Sequence, residues 1–224
     1  MIELSDYTLC PIGTGNGING FYFSLSEGDI CSIDADSPDD ANLLLKAIAT
    51  LAHPVQGTYM FMGKKLDFSN YRNLLPCKKQ IGYMTSDTAL ISNLSLRENF
   101  LLMRHYFEDS LSLDIDEKTA ILCRKLNIYD KLDLRPGELR PIELRTAIAI
   151  RELSKSPAML LIERPEDFIM FSQFDMFMEI LKDSLLPGLP LVFISYDKNF
   201  INEFSNRNIL ISEGTLTTVV TAGR

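Results

Sequence analysis

Between Gly28 and Leu51 the chain reads GDICSIDADSPDDANLLLKAIATL, and this stretch limits the possible fold more than any other. Asp29 to Ile33 alternates into a short apolar strand. Ala35 to Asp40 is a turn of small, acidic and proline residues, and Ala41 to Leu51 carries apolar residues at helical spacing. Strand, tight loop and helix form the frame of a phosphate-binding loop, in which glycine N–H groups wrap the phosphates, a lysine reaches the terminal phosphates and a Ser/Thr holds magnesium. Where G-x-x-x-x-G-K-S/T would fall, this chain has Ala35, then Asp36 to Asp39, then Asp40, Ala41 and Asn42, with Pro38 inside the loop. A phosphate brought here would meet carboxylates, and no lysine would offset them.

The framing resembles that of an ATP-binding cassette (ABC) transporter ATPase subunit, and the resemblance covers essentially the whole chain. GDICSIDADSPDDANLLLKAIATL lies without a gap over the family's strand, Walker A loop and helix, and HPVQGTYMFMGKKL is similar to the hairpin that follows. From Arg135, RPGELRPIELRTAIAIRELSKSPAMLLIERPED lies over the signature helix and the Walker B strand, with Leu139, Arg151, Leu153, Pro157, Leu160, Leu161 and Pro165 in place. The resemblance implies an α/β P-loop NTPase fold: a mixed sheet core, an antiparallel N-terminal β part and a helical subdomain. On it, 1–224 is one domain, with a core lobe of about 1–85 and 154–224 and a helical subdomain of about 86–153.

The positions that carry the family's chemistry are the ones that differ. The Q-loop glutamine is Ser86. The signature L-S-G-G-Q becomes Leu139-Arg140-Pro141-Ile142-Glu143, although in the family its serine and glycines face the γ-phosphate of a nucleotide on the opposite subunit. Proline has no N–H, and Ile142 restricts the backbone. The Walker B pair Asp-Glu becomes Glu163-Arg164, which keeps a longer carboxylate for magnesium and puts a cation where the attacking water would be polarised. The loop S-A-L-D becomes Phe168 to Phe171, and the switch T-H-D becomes Ser195-Tyr196-Asp197.

The remaining segments supply scaffold. Ile2 to Leu9 and FYFSLSEG read as strands joined by PIGTGNGING. That loop contains Gly15-x-Gly17-x-x-Gly20, but a dinucleotide fingerprint must open a helix. Here a period-two strand follows, so a flexible turn is expected. Thr58 to Met62 and Lys64 to Phe68 form a strand pair, Gln80 to Met84 a buried strand, and Leu189 to Ser195 another. Met176, Ile180 and Leu181 lie on a helix packed on the sheet, and NILISEGTLTTV closes the chain as a strand pair. Ser95-x-x-Glu98 is a capping box. Asp116 and Glu117 open a second helix after the acidic stretch Glu108 to Asp116, which reads as a solvated linker or a partner-binding segment. His53 is placed on a surface turn and His105 in a helix, partly buried; neither has a second metal ligand at a suitable spacing.

A net charge of −8 and a pI near 4.8 argue against a nucleic-acid or anionic-membrane surface, which clustered Lys and Arg would supply. Cys10, Cys31, Cys77 and Cys123 are widely separated and signal neither zinc nor a disulfide framework, which fits a reduced, cytosolic setting. No apolar run is long enough to span a bilayer.

Two readings of the acidic loop stand side by side. Asp39 or Asp40 would cap the free N–H groups of the helix, a built-in carboxylate in the place of a phosphate. Alternatively, Asp34, Asp36, Asp39 and Asp40 would supply oxygen ligands to calcium or magnesium. Arg164, on the facing loop, is expected to pair with Asp36, Asp39 or Asp40.

Because the lysine, the glycines and the glutamate are altered together, the expected function is a non-hydrolysing ABC ATPase-like subunit with no catalytic residues, no resident cofactor and no metal. It would be structural or regulatory in a membrane transport complex. Its transmembrane partner would dock beside Ser86 to Leu96, in TALISNLSLRENFLL, which is similar to the corresponding segment of lipid or small-solute transport subunits. A second ATPase subunit, or another copy of this chain, would complete a dimer. The setting would be cytoplasmic, peripheral on the inner membrane through that partner. The alternatives are a divergent subunit that binds or hydrolyses ATP with magnesium, and a soluble scaffold unrelated to transport.

Overall fold

Alternation of buried and exposed residues sets the first two strands side by side. In the computed structural model of the chain, which describes residues 1–107 and 114–220, the elements begin with β1 (Ile2–Leu9), β2 (Ile18–Leu25), β3 (Ile30–Ala35) and α1 (Pro38–Ile48). Next come β4 (Gln56–Phe61), β5 (Lys64–Lys65), α2 (Leu75–Lys79), β6 (Ile81–Met84), α3 (Leu96–Phe107), α4 (Glu117–Lys125) and α5 (Pro141–Ser154). The chain continues through β7 (Met159–Glu163), α6 (Phe174–Leu185), β8 (Leu191–Ile194) and α7 (Lys198–Phe204), then β9 (Arg207–Ser212) and β10 (Thr215–Val220).

Two sheets result. The smaller is antiparallel, in the order β2-β1-β4-β5, with Ile2 opposite Leu25 and Leu9 opposite Ile18. The larger runs β10-β9-β3-β8-β7-β6 and is parallel except for β10. Its inner strands are apolar throughout, as strands covered on both faces must be: Met159 to Ile162 and Leu191 to Phe193 are fully buried. One apolar cluster joins the small sheet, α1 and one side of the large sheet. The other joins α3 to α7 with the opposite side, so Leu96, Phe100, Leu122 and Leu153 share a core with Ile162 and Phe193. The helical region therefore rests directly on the sheet.

Several details depart from expectation. The central helix begins at Pro38, before Ala41, because Ser37 acts as its N-cap, accepting from the Asp39 N–H at 3.3 Å, and Pro38 suits the first helical position. Met176 lies on the outer side of α6 and is exposed, while Phe177, Ile180 and Leu181 face the core. His105 is exposed. His53 is exposed on its turn, edge-on to Phe68. The capping box is present, with Ser95 N–H donating to Glu98 at 2.7 Å and Glu98 N–H to Ser95 Oγ at 3.2 Å. Asp116 caps α4 by accepting from Thr119 N–H at 2.8 Å. Residues 108–113, most of the acidic linker, lie outside the described residues. The four cysteines are free, and only Cys10 is exposed.

Candidate functional site

A parallel sheet delivers its functional groups at the carboxyl ends of its strands, where the loops to the following helices begin. Here β3 ends at Ala35, β6 leads to Ser86, β7 ends at Glu163 and β8 leads to Tyr196, all along one edge. α1 and α5 start at this edge, so their free N–H groups would favour an anion.

At α1 the anion is part of the chain. Asp39 Oδ2 accepts from the Thr14 N–H at 2.7 Å and from the Thr14 hydroxyl at 2.9 Å. These donors, the backbone N–H first, hold the Asp39 carboxyl below the usual range. Asp40 is 2% exposed, and its two oxygens accept from Asn16 N–H at 3.0 Å and Gly17 N–H at 2.9 Å. The carboxylates thus reach sideways into the β1–β2 loop and leave the capping of α1 to Ser37. The loop is the turn between two strands that was expected, and it is shaped to receive these two carboxylates. A Cβ on Gly13 would lie 2.3 Å from Asp39 Oδ2, and one on Gly15 2.3 Å from Asp40 Oδ1. Gly17 has φ +74°, a conformation that glycine adopts without strain.

At α5 the arrangement repeats with a different residue. Glu143, buried in the first turn, accepts from the Arg140 N–H at 3.0 Å and from Arg140 Nε at 2.7 Å, and pairs with Lys131. The Arg140 guanidinium, then Lys131, then the Arg140 N–H bring its carboxyl down to about 2. Pro141 contributes no N–H. A phosphate approaching either helix end would meet these carboxylates at close range, Asp39 and Asp40 in the first turn of α1 and Glu143 in the first turn of α5.

Over its whole length the chain superposes on all of the dimeric ATP-binding cassette MJ0796, at a TM-score of 0.83 and 20% identity for a post-hydrolysis state bound to ADP and Pi, and 0.83 and 19% for a second dimeric structure. The fold is that of an ABC ATPase cassette. Its sequence is similar to the molybdenum import ATP-binding protein ModC of Brucella melitensis, 28% identical over 196 residues, which are 86% of this chain and 53% of that protein. It is also similar to the methionine import ATP-binding protein MetN of Haemophilus influenzae, 21% identical over 227 residues, spanning 100% of this chain and 66% of that protein. The cassette therefore spans about half to two thirds of the length of these relatives. No protein-family model matches it.

Two contacts join other positions singled out in the sequence, Ser86 with Glu163 and Arg164 with Tyr196. Ser86 donates to Glu163 Oε2 from its N–H and from its hydroxyl, both at 3.0 Å, which ties the Q-loop position to the Walker B position. With Pro141, Arg145, Arg164 and Asp167 they line a cavity of about 270 Å³. Arg164 does not reach Asp36, Asp39 or Asp40, contrary to expectation. Its backbone is left-handed, at φ 54°, which turns the side chain toward Asp167, at 3.0 Å, and over the exposed Tyr196 ring, 5.5 Å from its centroid. Asp36 turns instead to Ser212 Oγ, at 2.7 Å, and Glu213 N–H, at 3.3 Å.

The four aspartates thus diverge, and among the described residues no group of three or more His, Cys, Asp or Glu side chains is placed to hold a metal ion. Ala35, Pro38 and Ala41 line a second cavity of about 470 Å³ with Tyr196, and Asn42 is half-buried on α1. Ile142 is half-buried in the first turn of α5.

Sequence reasoning missed Thr14, Asn16 and Gly17 as partners of α1, Lys131 as a partner of Glu143, and Glu166, which accepts from Ser195 Oγ at 3.0 Å and Tyr196 N–H at 3.2 Å. Lys46, one turn beyond Asn42, pairs with Asp87 at 2.7 Å. The Asp87 hydrogen bond raises the Lys46 pKa. Only Glu143 carried a signal, its capping-box distance from Arg140, masked by an arginine where Ser or Thr is usual.

Proposed function

We propose that this cassette is a subunit of a membrane transport complex that acts structurally or as a regulator, without turning over ATP. The observation that carries the reading is the presence of the chain's own carboxylates at both of these helix ends, Asp39 and Asp40 in the first turn of α1 and Glu143 in the first turn of α5, each hydrogen-bonded within the chain. Phosphoryl transfer rests on positioning and charge stabilisation, and each missing donor is worth about a hundred- to a thousand-fold in rate. Several are altered together here.

A transport setting is favoured by the relatives, both import ATP-binding proteins. It is also favoured by the segment after Ser86. Buried Asn99 holds that segment through Ile91 N–H, at 2.8 Å, and the carbonyls of Ile91 and Ser95, at 3.1 and 2.9 Å, so that Ile91 is presented at 47% exposure. A fixed apolar side chain beside the Q-loop position suits docking to a transmembrane subunit. Among the described residues no helix is long and apolar enough to cross a membrane, so attachment would come through that partner.

The test is a calorimetric titration with Mg·ATP, with phosphate release followed in the same sample. The expected result is no binding heat up to about millimolar nucleotide, an affinity worth only about 4 kcal/mol, and no turnover. Turnover that disappears in Glu163→Gln would overturn the proposal in favour of a divergent ATPase that uses the Walker B carboxylate.

A further inference from the structure

Helices α4 and α6 flank a groove of about 650 Å³. Its floor includes Pro157 and Leu189, which precede β7 and β8, so it lies at the opposite end of these strands from Glu163 and Tyr196. Along the α4 wall, Lys118, Ile121, Leu122 and Lys125 follow at helical spacing, and Ile180, Asp183 and Ser184 form the α6 wall. Ile121 is 43% exposed, whereas Leu122, Leu153 and Ile180 are buried. The groove is therefore apolar within and basic along one side.

Lys118 is held in place. Its ammonium donates to the Leu153 carbonyl at 3.0 Å and to Ser156 Oγ at 2.9 Å, which leaves one of its three N–H groups over. Burial lowers its pKa, and Asp116, whose carboxylate caps α4, opposes this only at a distance. Among the described residues neither Lys118 nor Lys125 is paired with a carboxylate, in a chain whose net charge is −8. Two unpaired lysines beside exposed apolar surface ask for an anion with an apolar body.

We propose that this groove binds a medium-chain monocarboxylate, with its head on Lys118 and its alkyl chain along Ile121, Pro157, Ile180 and Leu189. The volume is that of a small-ligand site, and a mostly apolar lining with few polar groups is the kind that holds such ligands. The remaining N–H of Lys118 supplies a charge-assisted bond from an ammonium already fixed by two others. Lys125 has no such hold, which places the head at Lys118. One negative charge is favoured over two because Asp183 stands on the facing wall. The distance from Lys118 to Lys125, two turns of α4 or about 10 Å, suits an alkyl chain. It is short for a partner helix, since a stable protein interface covers about 800 Å² on each side.

The test is a calorimetric titration of the whole chain with decanoate below micelle formation. One saturable site is expected, with octanoate about tenfold weaker for its two missing methylenes. Decyltrimethylammonium, which has the same tail and the opposite charge, should not bind there. Lys118→Met keeps the unbranched stem and should weaken decanoate about tenfold or more, whereas Lys125→Met should change it by less than about threefold. Ile121→Glu, a charge placed on an exposed position of the wall, should abolish binding while circular dichroism shows the fold unchanged; this variant keeps the test decisive if Lys118→Met is poorly folded. The absence of saturable binding, an affinity unchanged in Lys118→Met or Ile121→Glu, or equal binding of the cationic amphiphile would overturn the inference. So would an acidic amphipathic peptide that binds the groove when decanoate does not, because the occupant would then be a partner protein.

Discussion

Replacing Asp40 by alanine tests whether a buried carboxylate fixes the start of α1. Asp40 is 2% exposed and accepts from two backbone N–H groups, Asn16 at 3.0 Å and Gly17 at 2.9 Å. A hydrogen bond to a charged group contributes about 1.5–3 kcal/mol, and its loss here leaves a buried donor without a partner. Two bonds at the low end of that range give about 3 kcal/mol, the low end being chosen because alanine also removes the cost of burying the charge. For a chain of this length each kcal/mol moves Tm by about 2–4 °C, so a fall of about 6–12 °C is expected. Urea unfolding followed by circular dichroism should show a lower midpoint at unchanged slope. Asp40→Asn, which keeps one acceptor oxygen, should fall between the two. In Asp40→Ala the freed donors face the positive end of α1, so inorganic phosphate should raise its Tm and leave the wild type unmoved. An Asp40→Ala protein within about 0.5 kcal/mol of the wild type, the range of an ordinary surface substitution, would refute the reasoning.

Gly15→Ala should cost about 1–3 kcal/mol because its Cβ would sit 2.3 Å from Asp40 Oδ1, and in the Asp40→Ala background most of that loss should vanish in a double-mutant unfolding cycle. The Glu143 carboxyl, held down at about 2, stabilises the fold fully above the usual glutamate value and loses that contribution as pH falls from about 4.5 toward 2; Glu143→Gln should flatten this part of the Tm-against-pH curve. Glu152 is 1% exposed and accepts from Arg151 Nε at 2.9 Å, Lys155 Nζ at 2.5 Å and Tyr83 N–H at 3.0 Å. Glu152→Ala should destabilise by about 3–5 kcal/mol in urea unfolding, since it leaves two half-buried cations and a strand N–H unpaired.

The scaffold was legible because it is written in local patterns. Period-two burial in β1 and β2, continuous apolar runs in β7 and β8, and the capping pairs Ser95–Glu98 and Asp116–Thr119 each lie within a few residues of one another. The altered motif positions were also visible, because they interrupt a frame that otherwise runs without a gap. The wiring between them was not. Asp40 and Gly17 are 23 residues apart, and Ser86 and Glu163 77, so nothing in their spacing couples them. The expected Arg164–aspartate pair failed for a reason that composition conceals. A left-handed backbone at Arg164 re-aims the side chain, and non-glycine residues adopt that conformation too seldom for sequence to announce it.

Asp40 joins α1 to the β1–β2 loop, and so joins the large sheet to the small one. A diffusible anion in that place would tie the two with a strength that varies as the logarithm of its concentration. A carboxylate carried on the chain is present at a fixed effective concentration, set by the covalent path and by nothing in the surrounding solution. The tie that Asp40 makes between α1 and the β1–β2 loop thereby needs no dissolved anion.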